Sequence, residues 1–132
     1  MSFLLDTNII SDHLKRPSRS FHRFIQHSGQ LAVTTIVLGE LYAWAYGRSD
    51  PTTILGPLED LVSQMEILPF DTESAREFGK LRVLLPRIGM TVDSVDLMIA
   101  SVALAHDLTL VTDNTKHFES IPGLQHVNWL VP

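Results

Sequence analysis

The chain has 132 residues, 45% of them hydrophobic, no cysteine and a formal net charge of −5. That length suits one domain, here spanning 1–132, with a core covering roughly two thirds of the unfolded surface. The lack of cysteine excludes disulfides, Cys–zinc sites and thiol catalysis, and no stretch nears the roughly 18 uninterrupted apolar residues of a membrane span.

The N-terminus has no basic region followed by an apolar run and a small-residue cleavage site, so a cytoplasmic protein is expected. Phe3-Leu4-Leu5 reads as a short buried strand. Residues 8–27 read as helix, interrupted at Pro17. The run 31–34 reads as a strand and 35–46 as a helix stopped by Gly47. Pro51 opens a helix through about Met65. A strand follows over 66–70, with Ile67 and Leu68 as its core residues. Asp71 or Thr72 caps a helix over 72–85, with Pro86 just beyond it. Asp93 caps a helix from 94 to about 106. Strands at 108–112 and 126–131 complete the series. Strands and helices alternating at these spacings predict an α/β domain whose mostly parallel sheet carries helices on both faces.

Ligands of such sheets bind beyond the carboxyl ends of the strands, where strand order reverses. Asp6 stands at the end of the first strand, and Asp113 and Asn114 directly follow the strand 108–112. Both positions also suit plain turn residues. Glu40 shares its helix face with Ile36, Val37, Ala43 and Trp44, which places a carboxylate on an apolar stripe expected to face the core. Asp96 shares a face with Ile99, Ala100 and Ala103, although an acid in a first helical turn also complements the helix dipole. Four such carboxylates brought together would repel, and some would stay protonated. A hard divalent cation removes the conflict. All-oxygen donors favour Mg²⁺ or Mn²⁺, whose usual work is on phosphates. Phosphodiester hydrolysis is the leading chemistry. Thr112 reads equally well as an orienting hydroxyl beside the metal or as an ordinary strand-end residue.

The acidic balance weighs against general nucleic-acid binding, but its distribution is uneven. No acid lies between Asp12 and Glu40, where Lys15, Arg16, Arg19 and Arg23 occur. None lies in 78–92, which holds Lys80, Arg82 and Arg87. These are two solvated helix faces or two basic surfaces around an acidic centre. There is no G-x-S-x-G elbow and no Gly-rich phosphate loop.

The segments "LLDTNIIS", "GELYAWAYG", "VDLMIASVALAHDLTLVTDNTKHF" and "IPGLQHVNW" resemble the PIN-domain nucleases, and most closely their VapC toxins of VapBC toxin–antitoxin pairs. The likeness covers essentially the whole chain. It implies a three-layer PIN-like fold and a metal-dependent endoribonuclease, with Mg²⁺ (Mn²⁺ as substitute) on Asp6, Glu40 and Asp96. It also implies a homodimer and a small VapB-type antitoxin that blocks the site. Thr7 and Asn8 take the places of the polar residues after the first acid. The fourth acid departs from the pattern: the usual position holds Asn114, Asp113 comes one residue early, and His117 occupies a place where related toxins often have an acid. Either Asp113 or Asn114 fills the fourth place. Arg16, Arg19, Arg23, Arg82 and Arg87 are the candidates for the RNA backbone. The competing readings are a catalytically inactive PIN-like binding module and a Mg²⁺-dependent small-molecule phosphatase. Asn8 counts against the phosphatase, which usually needs a second Asp there.

Overall fold

Every residue of the first strand is buried, because it lies at the centre of a sheet covered on both sides. The structure, a computed structural model, describes residues 2–131. Strand β1 (Phe3–Leu5) is flanked by β2 (Leu31–Thr34) and β4 (Thr109–Val111), with β3 (Glu66–Leu68) and β5 (His126–Val127) outside them. All pairs are parallel, in the register Phe3 with Leu31 and Thr109, and Leu5 with Val111. The chain steps outward from β1 to β2 and β3. It then returns across the sheet to β4 and β5. Strand order therefore reverses between β1 and β4.

The helices are α1 (Thr7–Lys15), α2 (Phe21–Gln26), α3 (Thr35–Tyr46), α4 (Thr52–Val62), α5 (Thr72–Arg87), α6 (Ser94–Ala105) and α7 (Thr115–Phe118). Helix α1 begins one residue earlier than its pattern suggested, because Asp6 serves as its N-cap. Pro17 breaks the 8–27 segment into two helices joined by a 3₁₀ turn, Pro17–Arg19. Helix α4 accepts Pro57 in its interior and stops at Val62. Asp71 caps α5, and Asp93 caps α6, as predicted. Pro86 lies inside the last turn of α5, not beyond it. That turn closes at Gly89, whose φ is 75°. The Gly89 N–H bonds Pro86 O and the Met90 N–H bonds Leu85 O, the paired closure that a left-handed residue allows.

Three other expectations change. Ile67 is 47% exposed, because β3 is an edge strand and turns only Leu68 inward. The last strand is just His126–Val127. Helix α7 was not foreseen; Phe118, wholly buried, pins this single turn to the core. Leu4, Leu5, Ile9, Ile10, Val33, Leu97, Ile99 and Leu110 form the centre of that core. Each such side chain contributes about 1.5–3 kcal/mol through burial. Trp129 packs on Phe3, Phe24 and His27, which ties the end of the chain to β1 and α2.

Candidate active site

Asp6 is placed by two constraints that follow directly from its position after β1. Its N–H donates to Val111 O at 2.9 Å, which extends the β1–β4 pairing by one residue. Its Oδ1 accepts from the Thr7 N–H at 2.8 Å and caps α1. Its Oδ2 accepts from Thr112 Oγ1 at 2.8 Å and from Asn8 Nδ2 at 3.4 Å. Asn8 in turn accepts the Asp113 N–H on Oδ1 at 3.1 Å. The ends of β1 and β4 are thus laced together at the point where strand order reverses. Thr112 is fully buried, and Asp6 is 4% exposed. The Thr112 hydroxyl is thus turned onto the first acid.

Glu40 and Asp96 reach the same edge from helices. Thr34 ends β2 and caps α3 through Val37, which sets that helix rising from the carboxyl edge of the sheet. Thr7 Oγ1 donates to Glu40 Oε1 at 2.5 Å. Glu40 itself is exposed, contrary to the core-facing position expected of it. The buried face of α3 is Val37, Leu38, Leu41 and Ala45, centred roughly 100° round the helix from Glu40. Glu40 therefore stands at the rim, not on the core stripe. Asp96 lies in the first turn of α6, its side chain 23% exposed, with His117 Nδ1 3.2 Å from its Oδ2.

The three acids share one electrostatic environment. The Asp6 carboxyl is held above the usual carboxylate range, chiefly by burial. Its bonds from Thr112 and Thr7 oppose that rise, while the charges of Asp96 and Glu40 add to it. Among the described residues no Lys or Arg pairs with Asp6, Glu40 or Asp96. Converging, unneutralised oxygens suit a hard cation. Among the described residues, however, no group of three or more His, Asp or Glu side chains is placed to hold a metal ion as it stands. A cleft of about 280 Å³ opens beside Asp96, lined in part by Thr91, Asp93, Lys116, His117 and Ser120.

A PIN domain family model matches residues 3–124. The chain belongs to the PIN-domain family. Ribonuclease VapC2 of Haemophilus influenzae is 32% identical to this PIN domain over 131 residues, covering 98% of this chain and 99% of that protein. The tRNA(fMet)-specific endonuclease VapC of Shigella flexneri is 34% identical, covering 98% of each. Among solved structures, DNA-bound VapBC from Salmonella typhimurium matches with a TM-score of 0.91 at 34% identity, covering 98% of each chain. VapBC2 from Rickettsia felis, bound to a promoter DNA fragment, matches at 0.89 and 31%, covering 98% of this chain and 99% of that one.

Not every residue singled out in this PIN domain joins the three acids. Asp113 and Asn114 are exposed and enter through their backbones: the Asp113 N–H bonds Asn8, and the Asn114 N–H bonds Thr112 Oγ1 at 3.1 Å. Arg16 and Arg19 both hold Asp12 Oδ1, at 2.9 and 3.0 Å. Helix α1 carries Arg16 about 15 Å along its axis from Asp6. Arg23, with Arg19 and His22, borders a separate cleft at Trp129. Arg82 is nearer the acids: it donates to Ser94 Oγ at 3.0 Å, two residues before Asp96, and lies over Phe78. Arg87 is exposed on the last turn of α5. Lys116, which composition alone does not single out, and His117 line the cleft beside Asp96. The signal available was a short polar stretch ending in Phe118, which reads as a loop until that ring is seen buried.

Proposed function

We propose that this PIN domain is a metal-dependent endoribonuclease, the toxin of a VapBC-type pair. The observation that carries the reading is the convergence of Asp6, Glu40 and Asp96 at the β1–β4 edge, with Asp6 buried in the field of the other two. The names of the similar VapC ribonucleases supply the substrate class. Asp6, Glu40 and Asp96 would hold Mg²⁺ or Mn²⁺, with Asp113 or Asn114 assisting from the β4 turn. When bound, that ion supplies charge neutralisation at a phosphodiester and easier deprotonation of water.

The chain's own residues do the rest. Thr7, Asn8 and Thr112 fix the direction of the Asp6 and Glu40 oxygens, so the site is ordered before substrate arrives. Glu40 Oε2 has no hydrogen-bond partner among the described residues and stands at the rim, where it can accept the proton of an attacking water. Lys116 and Arg82, beside Asp96, offer positive charge to the RNA backbone. Arg87, Arg16, Arg19 and Arg23 would extend that contact outward. A VapB-type antitoxin is the expected partner, since the similar structures are VapBC complexes. A cytoplasmic homodimer is the expected state.

The test is cleavage of total RNA by wild type, Asp6→Asn and Asp96→Asn, with and without EDTA, with the cut ends mapped. Wild type should cut only with divalent ions, and each variant should lose at least about a hundredfold. Undiminished cleavage by Asp96→Asn, or in EDTA, overturns the reading. Hydrolysis of a small phosphomonoester but not of RNA would favour the phosphatase.

A further inference from the structure

The cleft beside Asp96 is built where two turns meet at the start of α6. The turn after α5 supplies Met90, Thr91 and Val92. The Met90 N–H is fixed to Leu85 O at 2.9 Å, and Val92 packs against the core. Asp93 caps α6 at the cleft, and Lys116, His117 and Ser120 come from α7 and the turn after it. At about 280 Å³ the cleft has room for one flat base, since pockets that enclose a whole small-molecule ligand start at roughly 300 Å³.

Its lining suits a base. Met90 and Val92 are apolar, and the imidazole of His117, 59% exposed, offers a flat π face. Single-stranded RNA is read on such surfaces by stacking and by hydrogen bonds to base edges. The polar groups discriminate among bases. Asp93 Oδ2 accepts the Val95 N–H at 3.2 Å, and its Oδ1 has no hydrogen-bond partner among the described residues. An ionised carboxylate only accepts. Lys116 stands in no ion pair among the described residues, and its ammonium only donates. Guanine meets both: it has two adjacent donors, N1–H and the N2 amino group, and two adjacent acceptors, O6 and N7. Adenine and cytosine put an acceptor beside their amino group, and uracil flanks its N3–H with two carbonyls. Each would set a lone pair against the carboxylate.

We propose that this cleft is a guanine subsite, which seats one guanine of the RNA beside Asp96 and so selects where the strand is cut. The proposal rests on the endoribonuclease reading. Asp93 accepts from N1–H and the N2 amino group, and Lys116 donates to O6 or N7. The ammonium has three donors, so the others stay available to the backbone.

The probes are guanosine, inosine, adenosine, cytidine and uridine, which carry no phosphate for the acids to repel. Each is added at equal millimolar concentration to ¹⁵N-labelled wild type, Asp93→Asn and Lys116→Met without divalent ions. Occupancy is read from the amide shifts of Thr91, Asp93, Lys116 and Ser120. Guanosine should occupy the cleft roughly tenfold more than adenosine, cytidine or uridine. Inosine, which lacks the N2 amino group, should fall between. Asp93→Asn keeps a capping oxygen for α6 but adds a donor at the base edge, so the preference for guanosine should vanish. Lys116→Met should weaken guanosine severalfold, and circular dichroism checks that both variants are folded. Equal occupancy by all five nucleosides, shifts only outside the cleft, no shifts, or a guanosine preference that survives Asp93→Asn overturns the subsite. A second arm maps the ends of RNA cut by wild type with Mg²⁺. The cuts should share a guanine at one position beside the break, and Asp93→Asn should relax that bias and raise KM. Cleavage with no guanine bias overturns the subsite and leaves the nuclease standing. Guanosine selectivity in a chain that cuts no RNA overturns the nuclease reading, and with it the cleft's part in choosing a cut.

Discussion

Thr112 Oγ1 donates to Asp6 Oδ2 across 2.8 Å, joining two residues 106 positions apart at the ends of adjacent strands. The same hydroxyl accepts the Asn114 N–H, so one buried oxygen organises both the first acid and the turn after β4. Asn8 makes the second tie between these turns.

Thr112→Val keeps the shape of that side chain and removes both hydrogen bonds. It leaves the Asn114 N–H without its acceptor and Asp6 Oδ2 with only the longer contact from Asn8. Stability should fall by about 1–3 kcal/mol, read as a lower urea midpoint with unchanged slope. Cleavage should drop by roughly tenfold, less than for loss of Asp6, because the carboxylate remains but is no longer aimed.

Asp6→Asn should raise the melting temperature in EDTA at neutral pH. The fold holds the Asp6 pKa above its ordinary value, so it favours the protonated form. The stability linked to this group is fully present below the unfolded value of 3.8 and is lost as pH rises through the folded value. At neutral pH the ionised side chain is a cost that Asn removes. The gap between variant and wild type should shrink as pH falls towards 3.8, and also when Mg²⁺ is added to wild type. Each kcal/mol gained corresponds to about 4 °C in a domain of this size.

Asp71 gives the opposite sign. Hydrogen bonding with Ser74, with a further contribution from His106, holds its pKa at about 2, below the ordinary 3.8. The stability it contributes is present above 3.8 and is lost as pH falls through about 2. Asp71→Asn should therefore flatten the acid limb of a melting-temperature profile between those values. A variant profile parallel to wild type there would show that the cap carries no such linkage.

Asp12 is buried and accepts from Arg16 and Arg19. Among the described residues its Oδ2 has no hydrogen-bond partner. Asp12→Ala should destabilise the chain by about 1–3 kcal/mol and should not weaken RNA binding, since it frees two guanidinium groups. Arg82→Ala should do the reverse. It should weaken binding of a short RNA severalfold at low salt and reduce the salt slope by about one, with little change in the denaturation midpoint. Fluorescence anisotropy at several salt concentrations, beside urea titrations, separates the two.

Much of this molecule is legible in the linear chain. Short apolar runs alternating with helical periods are enough for a parallel α/β sheet, and a parallel sheet delivers every strand's last residue to one edge. The linear chain therefore brings Asp6 and Asp113 to one edge, while the bond from Thr112 to Asp6 is visible only in the folded chain. Capping by Asp71 and Asp93 is equally local, because a cap depends on residues within one turn. The likeness of the quoted segments to PIN-domain nucleases came from the same linear information.

Tertiary structure alone decided the rest. The rotation of α3 puts Glu40 at the rim, although its neighbours at helical spacing are apolar, because packing buries a face centred on Leu41. Burial of Phe118 turns an apparent loop into α7 and brings His117 to Asp96. Asp12 claims Arg16 and Arg19 only because α1 and the turn after it fold against each other. Caps and periodicity are set by a residue and its near neighbours. The roll of a helix and the reach of a side chain are set by cores assembled from segments up to a hundred residues apart.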